Sequence, residues 1–219
     1  MTADPVVRSV GDSALLIDFG DRIDERVNAR VVALDRALAA NPPHGLRETV
    51  PAYCSLLIEF DPLATSQAAI AAAALGLAQT APPDLAAGRE HIVPVSFAEA
   101  DAPDLASVSR QTGFGHEAAI TAFLAARYRV FMYGFAPGYA YMGGVPPALQ
   151  LPRKPVAERG HPVGSVIIAG PQCLITTLPM PTGWWVIGRT PLAVLDPKGP
   201  RPFRFDPGDT IRFERAAPA

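Results

Sequence analysis

The sequence predicts an α+β protein in two parts. A ferredoxin-like split-βαβ domain spans residues 1–88, and a closed β-barrel or β-sandwich spans residues 89–219. Three observations carry this reading. Over the first 95 or so residues, apolar β-type runs alternate with helical spacing in the order β, α, β, β, α, β, which is the split-βαβ pattern. Beyond residue 128 no long helical period recurs, and short apolar runs are separated by Pro- and Gly-rich turns, as in barrels and sandwiches. The 24 prolines are roughly double the usual share of about 5% and gather in the C-terminal half, which argues against helix there.

The elements follow in order. Val6–Val10 and Ala14–Phe19 are β-type runs around Gly11-Asp12. Asp24 is placed to cap a helix in which Val27, Val31, Leu34 and Leu38 form one apolar stripe. Asn41-Pro42-Pro43 ends it. Leu46–Val50 and Ser55–Phe60 read as strands parted by Pro51, and Thr65 or Ser66 caps an Ala-rich helix over Gln67–Gln79 that Pro82-Pro83 stops. Pro82–Arg89 reads as the linker, and His91–Phe97 as a strand. Pro103–Gln111, with Pro in its first turn and Gly113 beyond its end, and Glu117–Arg127 read as short helices. Strands are then expected at Arg129–Tyr133, Ser165–Ala169, Cys173–Leu178, Trp184–Ile187, Leu192–Leu195 and Thr210–Phe213, the last entered through the turn Asp206-Pro207-Gly208-Asp209.

Composition narrows the function classes. A net charge of -2 with interspersed signs gives no basic footprint for nucleic acid. No apolar run reaches the roughly 18 residues that cross a bilayer, and the N-terminus lacks the pattern of a secretory signal, so a cytoplasmic protein is expected. Cys54 and Cys173 form no paired motif, and the four histidines lie at no metal-ligand spacing from one another or from cysteine, so no metal site is expected. A Walker loop and a G-x-S-x-G nucleophile elbow are both absent.

Tyr133–Pro147, YGFAPGYAYMGGVPP, is the most unusual segment. It holds four glycines, three prolines, three tyrosines and a phenylalanine. Glycine and proline suit neither helix interior nor central strand, yet the rings are too dense for a solvated linker. An ordered loop held by ring packing is expected, serving either as a binding surface or as structural packing. Gly183–Pro191, GWWVIGRTP, joins an aromatic strand to Arg189, which either offers a fork to a carboxylate or phosphate or closes an ion pair at the strand end. Gln172 follows a Gly-Pro turn. Arg153, Lys154 and Arg159 form a basic group that is either a solvated face or an attractor for an anionic substrate. Asp196, Asp206 and Asp209 sit in turn contexts, and His161 between Gly160 and Pro162 reads as a loop histidine.

These segments resemble the carboxyltransferase-domain C/D family, whose members include the B subunit of 5-oxoprolinase, allophanate hydrolase subunit 1 and the Kip-type inhibitor of a sporulation histidine kinase. Gly134-Phe135-Ala136-Pro137-Gly138-Tyr139-Ala140-Tyr141 with Gly143-Gly144 carries the resemblance. So do Pro152-Arg153, Pro162-Val163-Gly164-Ser165-Val166, Gln172, and Gly183-Trp184 through Ile187-Gly188-Arg189-Thr190-Pro191. The N-terminal half adds Gly11–Leu15, Val50–Tyr53 and Asp61-Pro62. The resemblance implies that the second domain is a cyclophilin-like β-barrel. It implies a subunit, not catalytic alone, of an ATP-dependent amide or lactam hydrolase complex, acting on 5-oxoproline, allophanate or a similar small amide. The chain would form half of a composite site with a homologous carboxyltransferase-type subunit, together with a third lactam-utilisation subunit, and the complex would use ATP.

The family also offers two alternatives, an inhibitor that binds a sensor histidine kinase, and the carboxyltransferase half of a urea-carboxylase-type enzyme that uses biotin. The residues expected at the substrate are Phe135, Pro137, Gly138, Tyr139, Gly143, Gly144, Arg153, Gln172, Trp184 and Arg189, with carbonyl activation by backbone N–H groups of the glycine loop. The sequence departs from the family pattern at Ala157–Gly160, Cys173-Leu174, Thr182 and Trp185, around the expected cleft, and these positions bear on substrate more than on fold.

Overall fold

The computed structural model describes residues 4–83 and 88–217. Four of the residues read as the linker, 84–87, lie outside that description. The chain divides into two compact units, Met1–Ala87 and Gly88–Ala219.

The first unit contains β1 (Val6–Val10), β2 (Ala14–Asp18), α1 (Glu25–Ala40), β3 (Leu46–Pro51), β4 (Ser55–Phe60) and α2 (Gln67–Thr80). Both helix starts use the side chains expected of them. Asp24 Oδ1 accepts the N–H of Arg26 at 2.8 Å and of Val27 at 3.1 Å, and Ser66 Oγ accepts that of Ala69 at 3.2 Å. Each such cap stabilises its helix by about 1 kcal/mol. The sheet order is β1-β2-β4-β3, with every neighbouring pair antiparallel. β2 and β3 therefore run parallel with β4 between them, and α1 connects them, which is a split βαβ. Leu15, Ile17, Leu56, Ile58 and Phe60 on one sheet face pack against Val31, Leu34, Leu38, Ile70 and Ala74. Buried Asn28 in α1 is held by donation from Nδ2 to the carbonyls of Ala52 and Tyr53, at 3.1 and 3.3 Å.

One strand of the sequence pattern leaves this unit. The run read as His91–Phe97 is β5 (Glu90–Val95), and it pairs in the second sheet. The outer position beside β2 is taken instead by β1, the strand that precedes it. A strand alternation looks the same whichever sheet receives it, so the pattern alone does not choose.

The second unit continues with α3 (Leu105–Thr112), α4 (His116–Ala125), β6 (Tyr128–Tyr133), β7 (Ala140–Gly143), a 3₁₀ turn (Pro147–Leu149), β8 (Ser165–Ala169), β9 (Gln172–Ile175), β10 (Trp185–Arg189) and β11 (Thr210–Arg215). Seven strands form one sheet in the order β10-β8-β9-β7-β6-β11-β5. Only β11 and β5 pair in parallel. Its two edges meet at a bridge between Ser96 and Arg189, so the sheet is a nearly closed barrel. Its core joins Val93, Val130, Val166, Ile168, Ile187 and Phe213 to Leu105, Ile120 and Phe123 of the two helices. Burying each of these large side chains stabilises the fold by about 1.5–3 kcal/mol. The Phe123 and Phe213 rings stack with centroids 4.9 Å apart, and Tyr128 closes the cluster by donating to the Phe123 carbonyl at 3.0 Å.

Two further expectations are corrected. Leu192–Leu195 is not a strand; it makes a single bridge, Leu195 to Phe203. Tyr133–Pro147 is not one loop, because β7 lies inside it and makes a hairpin with β6. Glycine marks β7 as a poor strand by propensity, yet Gly143 is the residue that lets the Phe131 ring lie against the strand, 2.6 Å from where a Cβ would stand.

Candidate functional site

β8, β9 and β10 are buried on both faces. Val166, Ile168, Cys173, Ile175, Trp185 and Ile187 belong to the barrel core, while Ile167, Ala169, Leu174, Trp184 and Val186 form a second cluster with Tyr139, flanked by Ala136, Tyr141 and Met180. This second burial explains why β8 reads as an unbroken apolar run rather than an alternating one. The β6–β7 hairpin loop is the cover over that outer face.

The loop is fixed largely by itself. Gly134, Ala136 and Tyr139 give their N–H groups to the carbonyls of Tyr139, Gly134 and Ala136 at 3.2, 2.7 and 3.1 Å. These three amides are therefore turned toward the loop itself and away from any substrate carbonyl. Thr177 donates to the Pro137 carbonyl at 2.6 Å, and Tyr139 Oη lies 3.5 Å from the Leu178 carbonyl. Gly138 sits at φ 73°, where a Cβ would come within 3.2 Å of both Leu195 and Thr177. Phe135 also has a positive φ, 66°, and is the only non-glycine residue among those described to do so. A phenylalanine in this region carries about 1–2 kcal/mol of strain. Its ring gains little burial in return, being 74% exposed.

Phe135, Tyr139, Tyr141, Arg153, Leu174 and Trp184, with Ile167, Pro181, Thr182 and Gly183, enclose a cavity of about 140 Å³. The Arg153 guanidinium lies 5.6 Å from the Trp184 ring centroid, within cation–π range. Tyr141 meets Trp184 edge-on at 5.9 Å and 71°. Burial pushes both phenols up from their ordinary range, with the charge of Tyr141 adding to the effect at Tyr139 and Arg153 partly opposing it at Tyr141. Both are therefore neutral donors at physiological pH. One cation, two phenols and flat apolar walls suit a small planar anion.

Of the expected substrate residues, the cavity brings together Phe135, Tyr139, Arg153 and Trp184. Pro137 and Gly138 lie in the turn between Phe135 and Tyr139 and are not among its lining residues. Gly143 packs on Phe131, and Gly144, at φ 120°, has the Arg127 carbonyl 2.4 Å from where a Cβ would be. Gln172 is in β9 opposite Gly143 and Ala169. Arg189 lies at the barrel seam, where it lines a different, wider cavity with Phe97, Asp101 and Arg215. Its Nη1 is 3.7 Å from Asp101, and its Nε donates to the Val163 carbonyl at 3.3 Å. Tyr141 is absent from the expected set, although it is two positions from Tyr139 and on the same side of the chain, a period-2 signal that could have found it.

The basic group separates as well. Arg153 reaches the cavity and Arg159 is exposed, but the Lys154 side chain is 6% exposed, and its Nζ lies 2.8 Å from both Asp104 and Glu158. The Asp104 carboxylate also accepts the Val186 N–H at 2.7 Å, and the Asp104 N–H donates to the Val186 carbonyl at 3.0 Å. Asp104 thus satisfies the outer edge of β10 as a neighbouring strand would. The Lys154 N–H donates to the Gly183 carbonyl at 2.6 Å. This network ties the segment carrying Arg153 to the segment carrying Trp184. Among the described residues, no three or more His, Cys, Asp or Glu side chains converge as a metal site would need, and no helix is long and apolar enough to cross a membrane.

A two-domain chain with a split-βαβ unit, a nearly closed barrel and an aromatic cavity over the barrel's outer face has known relatives. Residues 5–205 match the model of the carboxyltransferase domain, subdomain C and D, and the chain belongs to that family. It is 31% identical to the B subunit of 5-oxoprolinase from Bacillus subtilis (strain 168) over 98% of this chain and 94% of that protein. It is 37% identical to the corresponding 5-oxoprolinase protein of Escherichia coli O157:H7 over 55% of this chain and 56% of that protein. Among solved structures, TTHA0988 superposes with a TM-score of 0.83 and 36% identity over 98% of this chain. The match covers 41% of the TTHA0988 chain, so this chain spans about two fifths of that protein's length. Urea carboxylase of Kluyveromyces lactis shares the fold, with a TM-score of 0.73 and 18% identity, over 97% of this chain and 22% of that one.

Proposed function

We propose that this chain is a subunit of an ATP-dependent hydrolase complex that opens a small cyclic amide, 5-oxoproline, to its amino acid. The observation that carries the reading is the near full-length similarity to the B subunit of Bacillus subtilis 5-oxoprolinase. The cavity at Trp184 supports it, because its single guanidinium and aromatic walls suit a ring of this size bearing one carboxylate. Arg153 takes the carboxylate, Trp184 and Tyr141 flank the ring, and a neutral phenol donates to the lactam oxygen, drawing electron density from the carbonyl carbon. This chain binds and orients; a homologous carboxyltransferase-type subunit completes the site and brings the attacking group. The same fold recurs inside longer chains, where it covers 41% and 22% of their lengths, which supports work beside a further domain or subunit.

ATP is consumed by the assembled complex. In this reading the cavity of about 140 Å³, with its one cation, is given to the lactam rather than to the nucleotide. The test is to purify the chain alone, then with its homologous partner and the lactam-utilisation subunit, and to measure ATP hydrolysis with 5-oxoproline and with allophanate. Hydrolysis dependent on 5-oxoproline and on all subunits is the expected result. Its absence from the complete set overturns the reading, and a requirement for biotin would replace it with the urea-carboxylase type.

A further inference from the structure

A separate cavity, of about 340 Å³, lies at the Val194 side of the barrel core and is lined by His91, Phe203, Arg204 and their neighbours. His91 Nε2 is 2.7 Å from Asp209 Oδ2. The Asp209 side chain is 3% exposed and also accepts the N–H of Arg89 at 2.8 Å and of Asp206 at 2.9 Å. The His91 ring stands edge-on to Phe205 at 5.0 Å and 71°, so its plane is fixed. With Nε2 held against the carboxylate, Nδ1 is the ring nitrogen left outside that contact.

The other charged groups around this cavity are mostly engaged. Arg201 pairs with Asp206, and Asp196 accepts the N–H of Lys198 in its own turn. Arg204 is exposed, and among the described residues it has neither an ion pair nor a side-chain hydrogen bond. One buried group beside the same turn is unmatched. The Tyr133 hydroxyl is buried with no hydrogen-bond partner, and its ring lies 5.0 Å from Phe203, a wall of the cavity. An imidazole held by a buried carboxylate and an unengaged guanidinium on the wall of one cavity together describe a binding site and exceed what a turn requires.

We propose that this cavity binds a small oxyanion of the phosphate class that carries one ionisable proton. Its anionic oxygens meet Arg204, and its P–OH faces Nδ1 of His91. When that proton moves to the ring, the imidazolium is held by Asp209 and the phosphate gains one negative charge. The site goes beyond the subunit assignment and does not rest on it.

The experiment is calorimetric titration of the full-length chain at neutral pH with inorganic phosphate, sulfate and ADP. Saturable phosphate binding is expected, at least about fivefold tighter than sulfate, which has no proton to give. Arg204→Met, on an exposed side chain, is expected to weaken it about tenfold with the melting temperature unchanged; His91→Phe, which keeps a ring against Phe205 but takes a partner from the buried Asp209 carboxylate, is expected to weaken it about tenfold and to lower the melting temperature. Tighter binding of ADP than of phosphate identifies a nucleotide phosphoryl group as the natural source, and the reverse identifies free phosphate; both support the site. The proposal is overturned if neither phosphate nor ADP binds saturably, if sulfate binds as well as phosphate, or if Arg204→Met, folded, binds phosphate like the wild type.

Discussion

Ser96 and Arg189 exchange both of their backbone hydrogen bonds, Ser96 N–H to the Arg189 carbonyl at 2.8 Å and Arg189 N–H to the Ser96 carbonyl at 3.0 Å. This pair joins the two edge strands of the seven-stranded sheet and closes the barrel. The seam is tight next to it. A Cβ on Gly188 would stand 2.5 Å from Val95 Cγ1 and 3.1 Å from the Ser96 carbonyl oxygen, and Gly188 also flanks the register shift between β10 and β8. Val95 is fully buried and, being β-branched, is stiff at χ1. Gly188→Ala is therefore expected to destabilise the barrel by about 1–3 kcal/mol. Equilibrium unfolding in urea checks this, and an unchanged midpoint would show that the seam is looser than the geometry indicates.

Asp104 does for the rest of the β10 edge what Ser96 does at its end. Its carboxylate is spent on Val186 and Lys154, which is why it makes no cap bond within α3 although it occupies the N-cap position. Removing one member of such a buried pair leaves the other uncompensated. Asp104→Ala is expected to cost about 3–5 kcal/mol. Asp104→Asn can still accept the Val186 N–H while Glu158 remains beside Lys154, so it should cost less. Unfolding midpoints of the two variants, compared at neutral pH, measure the difference, and equal losses would mean that the charge rather than the edge bond is what matters.

Much of the fold can be read from residue order, and the failures share a cause. Asp24, Ser66 and the left-handed Gly113 beyond α3 act through neighbours one to four residues away, so local chemistry reveals them. Whether β5 pairs in the first or the second sheet depends on β11, some 120 positions later. Lys154 looks like one of three surface cations until Asp104, fifty residues earlier, is placed against it. The candidate site divides in the same way. Phe135, Tyr139 and Trp184 announce themselves by composition, whereas Arg153 and Arg189 are both arginines in unusual segments, and contacts distant in sequence, Lys154 with Asp104 and Gly183 for the one and Arg189 with Ser96 for the other, send one to the aromatic cavity and the other to the seam.

Phe135 offers a test of whether the hairpin loop holds strain for the sake of its cavity. At φ 66° a side chain is penalised and glycine is not. Phe135→Gly is expected to leave stability unchanged or raise it by up to about 1 kcal/mol, while Phe135→Ala keeps the strained Cβ and gains nothing. Under the proposed function both variants raise the KM for 5-oxoproline in the reconstituted complex. Thermal melts and steady-state kinetics on the same preparations separate the two effects. A clear stability loss in the glycine variant would show that the ring is structural.

Arg153 and Arg189 give the sharpest separation of site from scaffold. If the aromatic cavity receives the substrate carboxylate, Arg153→Met loses a charge-assisted contact worth about 1.5–3 kcal/mol, which is roughly a 10- to 150-fold fall in kcat/KM for the complex. The exposed position of Arg153 predicts little change in its melting temperature. Arg189→Met should behave in the opposite way. Its backbone still pairs with Ser96, so the barrel still closes, and the half-exposed Asp101 contact at 3.7 Å contributes well under about 1 kcal/mol. Activity should then stay within about threefold of the parent. Loss of activity at Arg189 with full activity at Arg153 would move the substrate from the Trp184 cavity to the seam.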